Sequence, residues 1–259
     1  SQSKCPAKRF RTKFGMTNDK AAFTLAEVLI TLGIIGVVAA MTIPNLISKA
    51  REKATVVQVK ETYSILSQGF RRAIDEFGDV SSWCTRVSNS DEEQCEINMA
   101  NKLSHFMTLS PCNPYSTKCL PDFYKTRFKG DSRKIYYPKR SIYILNNGSV
   151  ITFYSRNGDN YTSLWCTSDV NTHSYFGTCG NITLDINGAS GPNVDGKDLF
   201  MFKIYQDGIA PLGHKKDGAW LESFNNNCMG RKWGGYGTCA GWIIDKGNMD
   251  YLHSDDLTY

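Results

Sequence analysis

Histidine is scarce in this chain of 259 residues: His105, His173, His214 and His253 are the four present. None falls in an HExxH spacing, GxSxG does not occur, and neither a P-loop nor a dinucleotide fingerprint appears. The sequence therefore offers no motif for metal-assisted, nucleophilic or nucleotide-dependent catalysis. CxxC is missing too, despite nine cysteines, which removes the usual spacing for structural zinc and for thiol redox chemistry. A lasting surplus of one charge sign is also lacking. Of the 30 basic and 25 acidic residues, six basic ones (Lys4, Lys8, Arg9, Arg11, Lys13, Lys20) and one acid, Asp19, lie in residues 1–22, so the remainder carries 24 of each. A neutral remainder argues against nucleic acid as a partner, because phosphate binding needs an excess of Lys and Arg.

What the sequence does contain is a long apolar run, FTLAEVLITLGIIGVVAAMTIPNLI, from Phe23 to Ile47. As a helix rising about 1.5 Å per residue, its first twenty or so residues cover roughly the 30 Å of a hydrocarbon core. Secretory signal peptides have shorter apolar cores, about 7 to 15 residues, followed by a small-residue cut on the far side. The basic residues ahead of the run place the N-terminus in the cytoplasm and everything after Ile47 outside. Glu27 is the one charge in the run, in its first helical turn. There it favours the positive end of the helix dipole and costs less than at the bilayer centre. Gly33, Gly36 and Pro44 weaken the same helix, and Pro44 lacks the amide hydrogen that would bond one turn back.

Lys20-Ala21-Ala22 followed by Phe23-Thr24-Leu25-Ala26-Glu27, with Pro44 downstream, resembles the N-terminus of the type IV pilin and type II secretion pseudopilin superfamily. The resemblance implies a basic leader (residues 1–22) removed by a prepilin peptidase between Ala22 and Phe23, and methylation of the freed Phe23 amine. It implies a transmembrane and assembly helix over residues 23–44, with Phe23, Glu27, Gly33, Gly36 and Pro44 as its assembly residues. An outer pilin-like domain follows over residues 45–259, its helix continuing to about 78, loops at 79–130 and sheet at 131–259. Ala22 stands where the family usually has glycine; it is small enough that cleavage is expected to survive. Met16 as the start would leave the short leader MTNDKAA.

The implied partners are other pilin-like subunits, the peptidase, an inner-membrane assembly platform and, before extraction, membrane lipid. The implied location is the bacterial inner membrane, single-pass with the outer domain periplasmic or extracellular, and then a filament. Glu27 would meet the Phe23 amine of a neighbouring subunit, since either charge alone is costly in low dielectric; the competing account pairs it with its own Phe23 amine, four positions away on one helix face.

Eight cysteines lie beyond the apolar run, an even set suited to disulfides in an oxidising compartment. Neighbours are separated by 11, 7, 13 and 11 positions, so the smallest loops join Cys84 to Cys95, Cys112 to Cys119, Cys166 to Cys179, and Cys228 to Cys239. Eight cysteines allow 105 connectivities, and buried thiols are the other reading.

From residue 45 to about Phe77 the pattern stays helical, with Val56, Val59, Tyr63, Leu66, Phe70, Ile74 and Phe77 recurring every three or four positions and Gly78 as a left-handed cap. A short helix is expected around Glu92 to Leu109. SIYILNNGSVITFYS reads as a hairpin turning at Asn146-Asn147-Gly148. Further strands are expected at Lys134 to Pro138, Asn181 to Ile186, Leu199 to Tyr205 and Gly241 to Ile244. A helix followed by antiparallel strands is an α+β arrangement, the pilin-like fold that the resemblance also implies.

In DINGASGPNVDGKD, Asp185, Asn187, Asn193, Asp195 and Asp198 cluster among glycines. Oxygen ligands on a bent loop are what Ca²⁺ requires. Some pseudopilins carry a calcium site after their strands, and this stretch looks similar in composition and place. It is not an EF-hand, since Ala189 and Ser190 occupy a ligand position and the invariant glycine. The same residues equally suit a turn that binds nothing, and no other cofactor is expected. Trp220, Trp233, Tyr236 and Trp242 near Cys228 and Cys239 suit core packing, or a sugar-binding or subunit-contact surface. The second functional reading is thus a signal-anchored, non-assembling binding protein or adhesin; an extracellular hydrolase has no motif to recommend it.

Overall fold

The computed structural model describes residues 24–84, 92–113, 119–128, 130–136, 141–154, 178–214, 228–229, 237–254 and 257. It divides into two compact units, residues 1–47 and 48–259. A single helix, α1 (Leu25–Phe77), begins in the first and ends in the second, and it runs through Pro44 without a break. In the first unit the apolar side chains stay exposed, among them Leu29, Ile30, Leu32, Ile34, Ile35 and Val38. An 18-residue window there has a mean hydropathy of 2.2 with nothing buried, so the segment is long and apolar enough to cross a membrane.

In the second unit the 3.6-residue stripe becomes a core. Val56, Val59, Leu66, Phe70 and Ala73 are buried, with Tyr63, Ile74 and Phe77 packed at the margin. Gly69 leaves room for the Met107 side chain, whose tip lies where a β-carbon would sit. Gly78, at φ 77°, donates its amide to Ile74 O at 2.9 Å and ends the helix as a left-handed cap. A 3₁₀ turn (Val80–Ser82) then brings Trp83 onto Phe70 with ring centroids 5.9 Å apart, and Trp83 Nε1 donates to Gly78 O.

The stripe packs on an antiparallel sheet of six strands: β1 (Ser110–Cys112), β4 (Ile142–Ile144), β5 (Val150–Tyr154), β6 (Thr178–Asp185), β7 (Leu199–Tyr205) and β8 (Gly208–Pro211), in that order. A separate two-stranded ribbon pairs β2 (Tyr124–Lys125) with β3 (Lys134–Ile135). Alternate residues Ile151, Phe153, Ile182, Leu184, Phe200, Phe202 and Ile204 enter the same buried cluster as the helix stripe. Each large apolar side chain so buried contributes about 1.5–3 kcal/mol. Tyr63 stacks on Phe202 at 5.5 Å. The fold is α+β and pilin-like, a long N-terminal helix on an antiparallel sheet.

A polar seam joins helix and sheet inside this core. Gln58 Nε2 donates to Ile186 O at 2.6 Å and to Ser149 Oγ at 3.0 Å, and Asn147 Nδ2 donates to Thr62 Oγ1 at 2.9 Å. The β4–β5 turn is the expected one: Leu145 N bonds Ser149 O, and Gly148 takes φ 82°.

Several local expectations change. Gly241 to Ile244 is not a strand but part of α3 (Ala240–Lys246), ended by left-handed Gly247. A four-residue apolar run has no decisive period, and here helix geometry lets Gly241 press against the backbone of Gly213, 2.3 Å from where a β-carbon would lie. The helix expected to reach Leu109 is α2 (Glu92–Ser104). Of the strand expected at Lys134 to Pro138, Lys134–Ile135 pairs, and residues 137–138 lie outside the described residues. The sheet also recruits β1 from the stretch read as loop; Pro111 is tolerated there because β1 is an edge strand.

Candidate assembly site at the head of the apolar helix

At the start of α1, Thr24 and Glu27 bond reciprocally. Thr24 N donates to Glu27 Oε2 at 2.9 Å, Thr24 Oγ1 donates to the same oxygen at 3.0 Å, and Glu27 N donates to Thr24 Oγ1 at 3.2 Å. This is a capping box: two amides that a helix start leaves unpaired are satisfied by two side chains three positions apart. Thr24 went unremarked in the sequence reading, although the Thr-x-x-Glu spacing was its signal. Glu27 thus has a local partner that is neither Phe23 amine. Ala22 and Phe23 lie outside the described residues.

Further along, nothing among the described residues lies within 4 Å of a β-carbon placed on Gly33 or Gly36. Pro44 leaves the Ala40 carbonyl without its usual amide donor one turn on. Thr31 and Thr42 turn their hydroxyls back to the carbonyls of Val28 and Val38, which satisfies polar groups that an apolar surround would penalise.

Two of the expected disulfides are formed, Cys112–Cys119 and Cys228–Cys239. Cys179 is disulfide-bonded, while Cys166, its expected partner, lies outside the described residues. Cys84 and Cys95 are adjacent and buried but stand as thiols rather than a disulfide. Burial, together with a hydrogen bond to Cys95, raises the Cys84 thiol well above its ordinary value.

The carboxylates of the Asp185–Asp198 loop are spent on the protein itself. Asp185 Oδ2 accepts from Tyr124 Oη at 2.5 Å and Oδ1 from Asn187 N. Asp195 Oδ1 accepts from Gly237 N at 2.7 Å, and Asp198 Oδ2 accepts from the amides of Asn193 and Val194. Asn187 and Asn193 turn their side-chain amides to the carbonyls of Gly191 and Ala189. Burial pushes Asp185 up to about 7 and Asp195 up to about 6, and raises Asp198 as well. Two buried oxygens, Asn193 Oδ1 and Asp195 Oδ2, lack a hydrogen-bond donor. Ca²⁺ takes six to eight oxygens. Among the described residues no three Asp, Glu, His or Cys side chains form a group that could hold a metal ion, and most of the loop's carboxylate oxygens already accept amide or phenol hydrogens.

Of the aromatic cluster, Trp220, Trp233 and Tyr236 lie outside the described residues, and Trp242 is a core residue whose Nε1 donates to Asn248. Nearby, Arg127 reaches Cys239 Sγ at 2.9 Å and lies over the rings of Phe128 and Tyr251.

A prokaryotic N-terminal methylation motif matches residues 17–43, and a family of unknown function (DUF6613) matches residues 45–236, most of the chain. The chain belongs to that family. No curated protein and no solved structure matches it. The methylation motif is the prepilin-type motif of type IV pilins and pseudopilins, and it spans the capping box, both glycines and the expected cut. With one apolar N-terminal helix behind it, the motif is consistent with a single-pass membrane anchor.

Proposed function

We propose that this protein is a structural subunit of a type II secretion pseudopilus or a type IV pilus-like filament. A prepilin peptidase cuts it between Ala22 and Phe23, the Phe23 amine is methylated, and the helix from Phe23 to Pro44 leaves the inner membrane to pack among those of neighbouring subunits. The observation that carries this reading is the methylation motif over residues 17–43, laid on a helix whose apolar side chains are left exposed among the described residues. Such a surface is stable in lipid or against like helices, and not in water.

Glu27 has two tasks in this scheme. In the single subunit its carboxylate caps the helix through Thr24; in the filament the amine freed by cleavage competes for the same oxygens, because an ion pair in low dielectric outweighs a neutral donor. The decisive experiment is mass spectrometry of the protein isolated from its own membrane. A chain beginning at methylated Phe23 supports the reading, whereas an intact leader overturns it in favour of an anchored binding protein.

A further inference from the structure

The β2–β3 ribbon has a buried face and an open one. Tyr124 and Ile135, paired across the ribbon, pack on Leu199. Strand alternation puts Phe123, Lys125, Lys134 and Tyr136 on the opposite face. Lys125 stands directly across from Lys134, both exposed. Like charges so placed are destabilising. Lys134 Nζ lies 4.2 Å over the Phe123 ring, Phe123 and Tyr136 are in ring contact at 6.2 Å, and Tyr136 is 67 % exposed. Outside α1 it is the one large apolar side chain left so open among the described residues.

An opposite imbalance occurs where α1 ends. Its last turn carries Asp75 and Glu76 and no basic residue, so two carboxylates sit at the negative end of the helix dipole, with the Lys102 ammonium of α2, 4.3 Å over the Phe77 ring, as the cation that reaches this turn among the described residues. Arg71 and Arg72 precede them by four positions, the less favourable order for a helical ion pair, and no such pair forms among the described residues. Val80 N bonds Gln206 O at 3.1 Å, which brings the β7–β8 turn with its exposed Asp207 beside exposed Asp79.

The two patches carry opposite charge: two lysines on the ribbon, and at the end of α1 four carboxylates (Asp75, Glu76, Asp79, Asp207) beside the Lys102 ammonium. We propose that the open ribbon face (Phe123, Lys125, Lys134, Tyr136) docks on the acidic end of α1 (Asp75, Glu76, Asp79, Asp207) of a second copy of this chain. Joined head to tail, the contact leaves one patch of each kind free, the heterologous arrangement that extends as an open array when its rotation does not close on itself. Tyr136 supplies the desolvated anchor, and the charges set register more than affinity. This inference rests on the filament reading above.

The test uses the full chain in its own cells, scoring leader cleavage and the yield of pelletable polymer. The double reversal Lys125→Glu/Lys134→Glu is expected to lower polymer about tenfold or more with cleavage unchanged, and Asp75→Lys/Glu76→Lys to do the same. The four changes together are expected to bring the yield back near that of the unaltered chain. Tyr136→Ser, on an exposed site that the fold does not need, also lowers it. The inference is overturned if the unaltered chain polymerises and either reversal leaves the yield untouched, or if the fourfold variant does no better than the double ones. A ribbon reversal that polymerises normally but no longer binds heparin would assign the face to an anionic polymer and overturn the docking. An unaltered chain that is neither cut nor polymerised overturns the filament reading and the docking with it.

Discussion

Thr24 and Glu27 share three hydrogen bonds at the head of α1, each side chain accepting the other residue's backbone amide. Glutamine at the position of Glu27 preserves a capping box, because its side-chain oxygen still accepts from Thr24 N, but it removes the charge. Glu27→Gln should therefore keep leader cleavage and sharply lower polymer yield. Thr24→Ala, which costs the helix end about 1 kcal/mol, should leave polymer near normal. Normal filaments from Glu27→Gln would reduce the carboxylate to a cap.

Tyr124 and Asp185 are 61 positions apart and meet through a buried hydrogen bond. Removing the hydroxyl strands a buried acceptor, so Tyr124→Phe should destabilise by about 1–3 kcal/mol. Thermal unfolding followed by circular dichroism reads this directly. Excess EDTA should not move the transition, since the loop's carboxylates are held by amides and a phenol; a fall in Tm on chelation would restore a cation to the loop.

Stability should depend on pH through the same acids. Burial gives Asp185 and Asp195 folded values of about 7 and about 6, against about 3.9 in an unfolded chain. The folded state holds protons that the unfolded state releases, so this contribution is complete below about pH 4 and is lost as pH rises through 6 and 7. Tm should be higher at pH 5 than at pH 8, and Asp185→Asn should flatten the difference. An equally steep profile in that variant would move the effect elsewhere.

Cys84 and Cys95 should resist alkylation while the fold is intact. Both are buried, and burial holds the Cys84 thiol protonated. Iodoacetamide at pH 8 should leave them unmodified for hours and label both once denaturant is added. Rapid labelling of the native chain, or none after unfolding because a disulfide joins them, would each contradict the structure.

Gly241 touches the Gly213 backbone with no room for a side chain. Gly241→Ala should destabilise by about 1–3 kcal/mol through overpacking. An unchanged denaturation midpoint would show that α3 can shift away from β8 freely.

What the sequence made legible was local. An apolar run from Phe23 to Ile47 passes into a helical period from residue 45 to Phe77, Gly78 marks its end, and Asn147-Gly148 marks a turn that two β-branched strands require. Nearest-neighbour cysteines found each other at Cys112–Cys119 and Cys228–Cys239 because short loops cost little entropy to close. Partners distant in the chain were not legible. Nothing in the residues around Tyr124 names Asp185, and nothing around Ser110 announces an edge strand beside Ile144. Ala240–Lys246 was misread because four apolar residues fit either period, and the deciding fact, the closeness of Gly213, is tertiary. At the candidate site, the reading of Glu27 against the Phe23 amines, its own and a neighbour's, leaves out Thr24, which stands three residues away.

The polar seam between Gln58, Thr62, Asn147, Ser149 and Ile186 has a mechanical consequence. Apolar stripes slide past one another at little cost, whereas these directional bonds fit one position only, and a slip of one helical turn would bury several polar groups without partners. A pull along α1 would load the seam in shear. It would act as a pin that resists slip either way, so traction on the helix carries the sheet with it.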